Sequence, residues 1–352
     1  MTHATEMGRG RMLGMAVVVA TALGACSGAP GPRATAASRA GAAAAVGGAV
    51  VATVRLPQYG NDVATAADGR AYVSVSSNEI VIVDTAQAAV AATVGVDGEP
   101  FAIAVTPDGR RAYSIDLRGE EIAVVDTAQA KQTNRISLGS VRRPGRRPSA
   151  VASADGQRIF VGEATQDHLV VIRTDSDRVE KEIFLDFHPN DVAVTGDNRF
   201  VYVVGCRLAC TDGTLLIIET AGFTTVSKIA LASVPTALAI TPNGRRAYVA
   251  NGLDATVSAV DLVTQNTIDT IPVGPQPVGI AVSADGRAIY VTSFANDQLS
   301  AISTVSNTVV ATAPIGDSPR AIVVSRDGRR AFVTHSSNTL SIVDLAGLGL
   351  GR

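Results

Sequence analysis

A pair of turn residues recurs seven times along this chain and constrains its fold more than any other feature. The pairs are Asp-Gly, Asn-Gly or Asp-Asn, and successive pairs lie 40 to 47 residues apart. The first members of the pairs are Asp68, Asp108, Asp155, Asp197, Asn243, Asp285 and Asp327. Such pairs tolerate a positive φ angle and favour tight turns between antiparallel strands. The period is that of one four-stranded blade of a β-propeller.

One aromatic residue follows each turn, four or five positions after its first residue. The seven residues in this aromatic slot are Tyr72, Tyr113, Phe160, Tyr202, Tyr248, Tyr290 and Phe332. The chain has 8 Phe and 6 Tyr, so half of them occupy one position of the repeat. Runs of Val, Ile, Ala and Tyr between Gly, Asn, Asp and Pro predict strands throughout, and no segment shows a helical period.

The two ends of the repeat array complement each other. The seventh unit ends near Asp344 without an outer strand, while segment 50–54 resembles the outer strand of the sixth unit at 309–312. We expect the N-terminal segment to fill the missing place, which leaves no open sheet edge. The predicted fold is an all-β, seven-bladed β-propeller of four-stranded antiparallel blades, the last blade closed by the N-terminal strand.

The repeats also carry a family resemblance. The sequences AYVS at 71–74, AYVAN at 247–251 and IYVT at 289–292 resemble the YVTN-type β-propeller repeat. The resemblance covers residues 50 to about 345. It implies an exported interaction protein of the cell envelope and no particular reaction, because a shared fold does not fix function.

Residues 1–25 are predicted to be a lipoprotein signal peptide. Arg9 and Arg11 precede a mostly apolar run, 12–23, which is too short to span a bilayer comfortably. The segment ends in the sequence LGAC, which resembles the lipobox of bacterial lipoproteins and implies lipidation of Cys26. The alternative is an ordinary secretory signal in which this cysteine has no role. We expect an exported protein, lipid-anchored to the cell membrane or outer membrane and facing outside the cytoplasm.

Composition divides the rest of the chain. Residues 26–48 are rich in Ala, Gly, Ser and Pro and are predicted to be a flexible tether, because they cannot bury a core. The predicted propeller spans 49–346, and 347–352 form a C-terminal tail.

The net charge and the absence of known catalytic motifs reduce the number of functions to consider. Without residues 1–25 the chain carries 28 basic and 31 acidic residues, a net charge of −3, which argues against nucleic-acid binding. No nucleophile elbow, zinc-protease motif, phosphate-binding loop or C-x-x-C pair is present, so we predict no catalytic residues, metal or cofactor.

Two cysteines flank a three-residue segment in the long loop after the second strand of blade four. In an exported protein Cys206 and Cys210 are predicted to form a disulfide, with a redox or metal role as the alternative.

An arginine-rich insertion precedes blade three. Its four arginines are Arg142, Arg143, Arg146 and Arg147, interrupted and followed by proline. Guanidinium groups suit bidentate contacts with carboxylate or phosphate, which makes the insertion a candidate binding surface. The alternative is a solvated loop that balances nearby acids such as Glu120 and Glu121.

Charged residues also begin several inner strands. Blades one and four carry Asp62 and Asp191 where other blades have small residues, His188 lies nearby, and blade seven places Arg320 one position earlier. These residues are candidates for binding a cation or polar ligand at the channel mouth. The alternative is that the two Asp residues cap backbone N–H groups.

Propeller topology places these candidates on one face, together with His168 and His335. The sequence therefore favours a non-catalytic scaffold that binds an envelope protein or glycan. The alternative is a lactonase-like or other hydrolase with its site at the channel mouth.

Overall fold

Short β-branched runs separated by turn residues form strands along the whole described chain. The computed structural model describes residues 44–45, 49–118, 120–138, 147–163, 166–207, 212–231 and 234–348. They form seven four-stranded blades arranged as a β-propeller, one of which gains a short fifth strand, and this confirms the predicted fold. Neighbouring strands within each blade are antiparallel, and a single 3₁₀ turn, Ala346–Leu348, is the only helical element in these ranges.

The first three blades follow one another in sequence, each running from its inner to its outer strand. Their strands are β3 (Gly60–Thr65), β4 (Arg70–Val75), β5 (Glu79–Asp84) and β6 (Ala89–Gly95) in blade 1; β7 (Pro100–Val105), β8 (Arg111–Asp116), β9 (Glu121–Asp126) and β10 (Lys131–Ser137) in blade 2; and β11 (Ser149–Ala152), β12 (Arg158–Glu163), β13 (His168–Arg173) and β14 (Arg178–Phe184) in blade 3.

Blades 4 to 6 repeat the same order. Their strands are β15 (His188–Val194), β16 (Phe200–Cys206), β17 (Gly213–Glu219) and β18 (Thr224–Leu231) in blade 4; β19 (Pro235–Ile240), β20 (Arg246–Asn251), β21 (Thr256–Asp261) and β22 (Asn266–Pro272) in blade 5; and β23 (Pro277–Val282), β24 (Ala288–Ser293), β25 (Gln298–Ser303) and β26 (Thr308–Pro314) in blade 6. A two-residue strand, β1 (Ala44–Ala45), lies parallel to β26.

Blade 7 combines the two ends of the described chain. Strands β27 (Pro319–Val324), β28 (Arg330–His335) and β29 (Thr339–Asp344) are followed by β2 (Val50–Arg55) in the outer place. β2 pairs antiparallel with β29, with Val54 opposite Leu340. The N-terminal strand therefore closes the ring, as the sequence predicted.

The recurrent turns connect the first and second strands of the blades. In blade 2, the Thr106 hydroxyl donates to the Asp108 carboxylate at 2.6 Å, the Arg110 N–H donates to the same oxygen at 3.1 Å, and Gly109 adopts a φ angle of 73°. The glycine is needed because an L side chain is strained at this angle. The side-chain groups of this turn are therefore bonded within the turn itself.

The aromatic slot lies between blades, where its members are buried. The Tyr113 hydroxyl donates to Asp177 of the next blade at 2.7 Å, and the Tyr248 hydroxyl donates to Asn307 of the next blade at 2.9 Å. Their rings pack in apolar clusters that join successive blades. The slot therefore serves blade packing, and burial of these rings is a main source of stability.

The two faces of the disc differ in their connections. We call the face with the outer-to-inner and second-to-third strand connections the upper face, and the face with the recurrent turns the lower face. The inner strands meet around the axis, and their first residues surround the channel at the upper face. This ring is the channel mouth, defined here by Tyr59, Asp62, Phe101, Arg147, Asp191 and Arg320.

Candidate functional site

The acidic part of the channel mouth is held by backbone groups. Asp62 lies at a bulge in β3, where its Oδ1 accepts the N–H of Val63 at 2.8 Å and its Oδ2 accepts the N–H of Ile103 in blade 2 at 3.0 Å. The side chain of Asn61 donates to the carbonyl of Pro100 in the same neighbouring blade at 3.0 Å. This Asn-Asp pair fastens blade 1 to blade 2.

Blade 4 repeats this arrangement. Asp191 Oδ1 accepts the N–H of Val192 at 2.8 Å, and its Oδ2 accepts the N–H of Leu238 in blade 5 at 2.7 Å. Asn190 donates to the carbonyl of Pro235 at 2.7 Å. Both aspartates therefore cap backbone N–H groups, the structural role that the sequence offered as the alternative to ligand binding.

Burial at the mouth changes how these two acids titrate. Desolvation raises the pKa of Asp62 from 3.8 to about 6, against the lowering effect of its two backbone hydrogen bonds. Desolvation likewise raises the pKa of Asp191 to about 7, and repulsion from Asp62 adds to it. A buried carboxyl binds its proton more tightly because the charged form loses hydration. At pH 7 Asp191 is therefore partly protonated, whereas Asp62 is mostly ionised.

The basic part of the mouth begins with Arg320 in blade 7. Its guanidinium lies 4.8 Å from the ring centre of Tyr59, and its Nε donates to the hydroxyl of Ser336 at 2.9 Å. Desolvation lowers the pKa of Arg320, and the positive charge of Arg147 lowers it further. The two arginines are thus close enough to repel each other.

Arg147 reaches the mouth from the connection before blade 3. Its guanidinium lies 5.2 Å from the ring centre of Phe101. Although the residue keeps exposed surface, desolvation of the guanidinium lowers its pKa. The other three predicted members of the insertion, Arg142, Arg143 and Arg146, lie outside the described residues. Glu121, one of the acids proposed to balance them, accepts a bond from Arg135 at 3.2 Å.

The three histidines of the folded region occupy separate environments on the upper face. His188 is buried, and its Nδ1 pairs with the carboxylate of Asp167. His168 contacts the ring of Phe184 edge-on, with the ring centres 5.7 Å apart. His335 is fully buried, its Nδ1 lies 3.3 Å from the carbonyl oxygen of Asp317, and burial lowers its pKa. The structure does not bring them together as one site.

The predicted cysteine pair is described in part. Cys206 is buried at the end of β16, where its sulfur lies 3.8 Å from the side-chain nitrogen of Asn190. Cys210 and the predicted lipidation site, Cys26, lie outside the described residues. The disulfide and the lipid anchor stay predictions.

Sequence reasoning missed two residues of the mouth, Tyr59 and Phe101. Both precede or begin inner strands and lie outside the aromatic slot. Tyr59 is the one tyrosine of the 6 that does not occupy the slot, so subtracting the repeat from the aromatic residues would have found it. The partner of His188, Asp167, carried no comparable signal.

Two kinds of feature are absent from the described ranges. They contain no group of three His, Cys, Asp or Glu side chains placed to hold a metal ion. They also contain no helix long and apolar enough to cross a membrane.

Comparison with known proteins bears on the family and the fold. Residues 145–330 match the family model described as YNCE-like beta-propeller. No curated protein matches the chain. Among solved structures, the chain is similar to Kuenenia stuttgartiensis hydrazine synthase, with a TM-score of 0.74 and 18% identity, over 83% of this chain and 96% of that one. At this identity the likeness shows the fold alone.

Proposed function

The chain belongs to the YNCE-like β-propeller family, and we propose that it is an exported, lipid-anchored binding protein whose partner docks on the channel mouth. The partner is an envelope protein or glycan. The rigid ring of blades presents the mouth, and acyl chains on Cys26 hold the protein at the membrane surface. The YVTN-like form of its repeats supports placing it in the cell envelope.

One observation carries this proposal: the channel mouth departs from the repeat, whereas the lower face follows it. The turns of the lower face recur from blade to blade, and their Asp or Asn side chains bond within the turn. Arg147 and Arg320, with Tyr59 and Phe101 beneath them, have no such counterparts in the other blades. Because the fold does not require these side chains, a binding role explains them better than a structural one.

The hydrolase alternative receives no comparable support. Both carboxylate oxygens of Asp62 and of Asp191 already accept backbone N–H groups, and His188 is paired with Asp167. These were the residues from which an acid–base set would be built. We therefore propose binding and not catalysis.

Crosslinking in intact cells tests the binding role. One variant changes the four arginines of the insertion to serine: Arg142, Arg143, Arg146 and Arg147. The matched control changes four exposed arginines of the lower-face turns to serine, so that it removes the same charge: Arg110, Arg245, Arg287 and Arg329. We expect partners captured by the wild type to be lost in the first variant and kept in the control.

Two outcomes contradict the proposal. Equal capture by the wild type and both variants places the partner elsewhere on the molecule. Empty capture by all three removes support for a scaffold, and lactone-hydrolysis assays of the purified protein become the next measurement.

The anchor is tested separately by labelling cells with a palmitate analogue. We expect label on the wild type and none on Cys26→Ser, which is also expected to leave the membrane fraction. Equal labelling of the two proteins would show that this cysteine is not the lipidation site.

A further inference from the structure

Two guanidinium groups, of Arg147 and Arg320, lie over aromatic rings of the channel mouth without an acidic partner among the described residues. All acidic residues after Glu6 are among the described residues, and none of their carboxylates lies within 4.0 Å of Arg147 or Arg320. The half-buried Arg158, by contrast, is paired with Glu180 at 2.8 Å. No carboxylate offsets the charge of Arg147 or Arg320 in this way.

This arrangement has an electrostatic cost. Both guanidinium groups lose hydration at the mouth, and the positive charge of Arg147 acts against that of Arg320. The rings of Tyr59 and Phe101 offer each cation one aromatic face and leave its N–H edges without a negative charge. A pair of desolvated like charges is stabilised when an anion lies between them.

The nearby aspartates do not supply that anion. The oxygens of Asp62 and Asp191 are directed to backbone N–H groups of β3, β7, β15 and β19. Burial also leaves Asp191 partly protonated near pH 7, whereas Asp62 is then mostly ionised. The charges of the two arginines are therefore not offset by a paired carboxylate, although the net charge of the chain is −2.

We infer that Arg147 and Arg320 form a binding site for an oxyanion group, a carboxylate or a phosphate, of the ligand. Arginine suits this chemistry because its planar N–H groups match the two oxygens of either group. The site joins residues of blades 3 and 7, so it exists only in the closed ring. This inference rests on the proposed binding function and names the chemistry of its ligand.

Calorimetric titration of the full chain, purified in detergent at low chloride, tests the inference. The probes are inorganic phosphate and citrate, which distinguish a phosphate site from a carboxylate site. We expect at least one probe to bind the wild type, and Arg147→Ser and Arg320→Ser each to weaken binding about tenfold or more. Arg245→Ser, on the lower face, is expected to bind like the wild type.

A charge-preserving variant separates the guanidinium geometry from charge alone. Arg320→Lys keeps the positive charge but loses the fork of N–H donors, so we expect binding between that of the wild type and Arg320→Ser. Circular dichroism of each variant checks that it is folded.

The inference is overturned if neither probe binds the wild type, or if the mouth variants and Arg245→Ser bind equally. The cellular crosslinking is a separate result. Captured partners without oxyanion binding would leave the binding function standing and remove its ligand chemistry. Oxyanion binding without captured partners would keep the ligand chemistry and remove the support for a protein or glycan partner.

Discussion

Asp191 provides the sharpest test of how burial acts at the channel mouth. Its folded-state pKa of about 7 lies about three pH units above the value of 3.8 for the free side chain. The folded protein therefore takes up a proton here at a higher pH than the unfolded chain does. A raised carboxyl pKa means that the free energy of unfolding increases as the pH falls through 7, and the increase ends near 3.8, where both states are protonated.

The size of the effect follows from the shift. Each pH unit between the two pKa values is worth about 1.4 kcal/mol. Between about pH 8 and about pH 5 the wild type should gain about 2.5 kcal/mol from this one group. Asp191→Asn has a similar shape but cannot bind the proton, so it should lack this gain. The difference in the free energy of unfolding between this variant and the wild type must therefore change with pH.

Urea unfolding followed by circular dichroism, at about pH 5 and about pH 8, measures the difference. Comparing the variant with the wild type cancels the titration of unrelated groups such as His335. Asp261→Asn is the control, because backbone N–H bonds from Thr264 and Val263 lower the pKa of this turn carboxylate and keep its titration below the range. If Asp191→Asn parallels the wild type over this range, the Asp191 carboxyl is not perturbed by burial and the reasoning fails.

Three further predictions concern the closure, the packing and the covalent structure of the propeller. Val54 is 4% exposed and packs in the core, whereas Val51 on the same strand is 53% exposed. Val54→Ser should therefore lower the free energy of unfolding by about 2 kcal/mol or more, and Val51→Ser by less than about 1 kcal/mol. Equal losses in urea unfolding would argue against β2 as the closing strand. A Cβ atom at Gly205 would overlap a backbone carbonyl oxygen of β15, while one at Gly95 has nothing within 4 Å. Gly205→Ala should therefore lower the free energy of unfolding by about 3 kcal/mol, and Gly95→Ala should hardly change it. The same melting temperature for both variants would contradict the close approach of β15 and β16. The Cys206 sulfur should resist alkylation until a reductant is added, and non-reducing peptide mass spectrometry should find it joined to the other cysteine of its loop; a freely alkylated thiol would refute the disulfide.

Much of the fold was predictable because the blades of a propeller are repeated units, and their period is visible in the sequence. Each blade needs the same tight turn and the same aromatic side chain between blades, so Asp108 and Tyr113 recur with their equivalents at nearly constant spacing. Closure was predictable for the same reason, since β2 resembles the outer strand of blade 6 and pairs with β29. Turn residues and buried positions are local features of each repeat, so they can be identified without knowledge of the tertiary structure.

The charges at the channel mouth were predictable as candidates but not in their roles. Asp62 and Asp191 stood out because other blades carry small residues at this position, yet the sequence could not distinguish a ligand site from a backbone cap. The distinction depends on where the N–H groups of Ile103 and Leu238 lie, in the blades that follow. Such contacts exist only after neighbouring blades have packed.

The sequence by itself determined the number of blades, their turns and the strand that closes the ring, because these features repeat and each is set by local geometry and burial. Only the tertiary structure decided that Arg147 and Arg320, from blades 3 and 7, share one mouth with Tyr59 and Phe101. The physical reason is that the seven inner strands converge on one axis. This convergence brings side chains far apart in sequence within electrostatic reach, and no local pattern records which of them will meet.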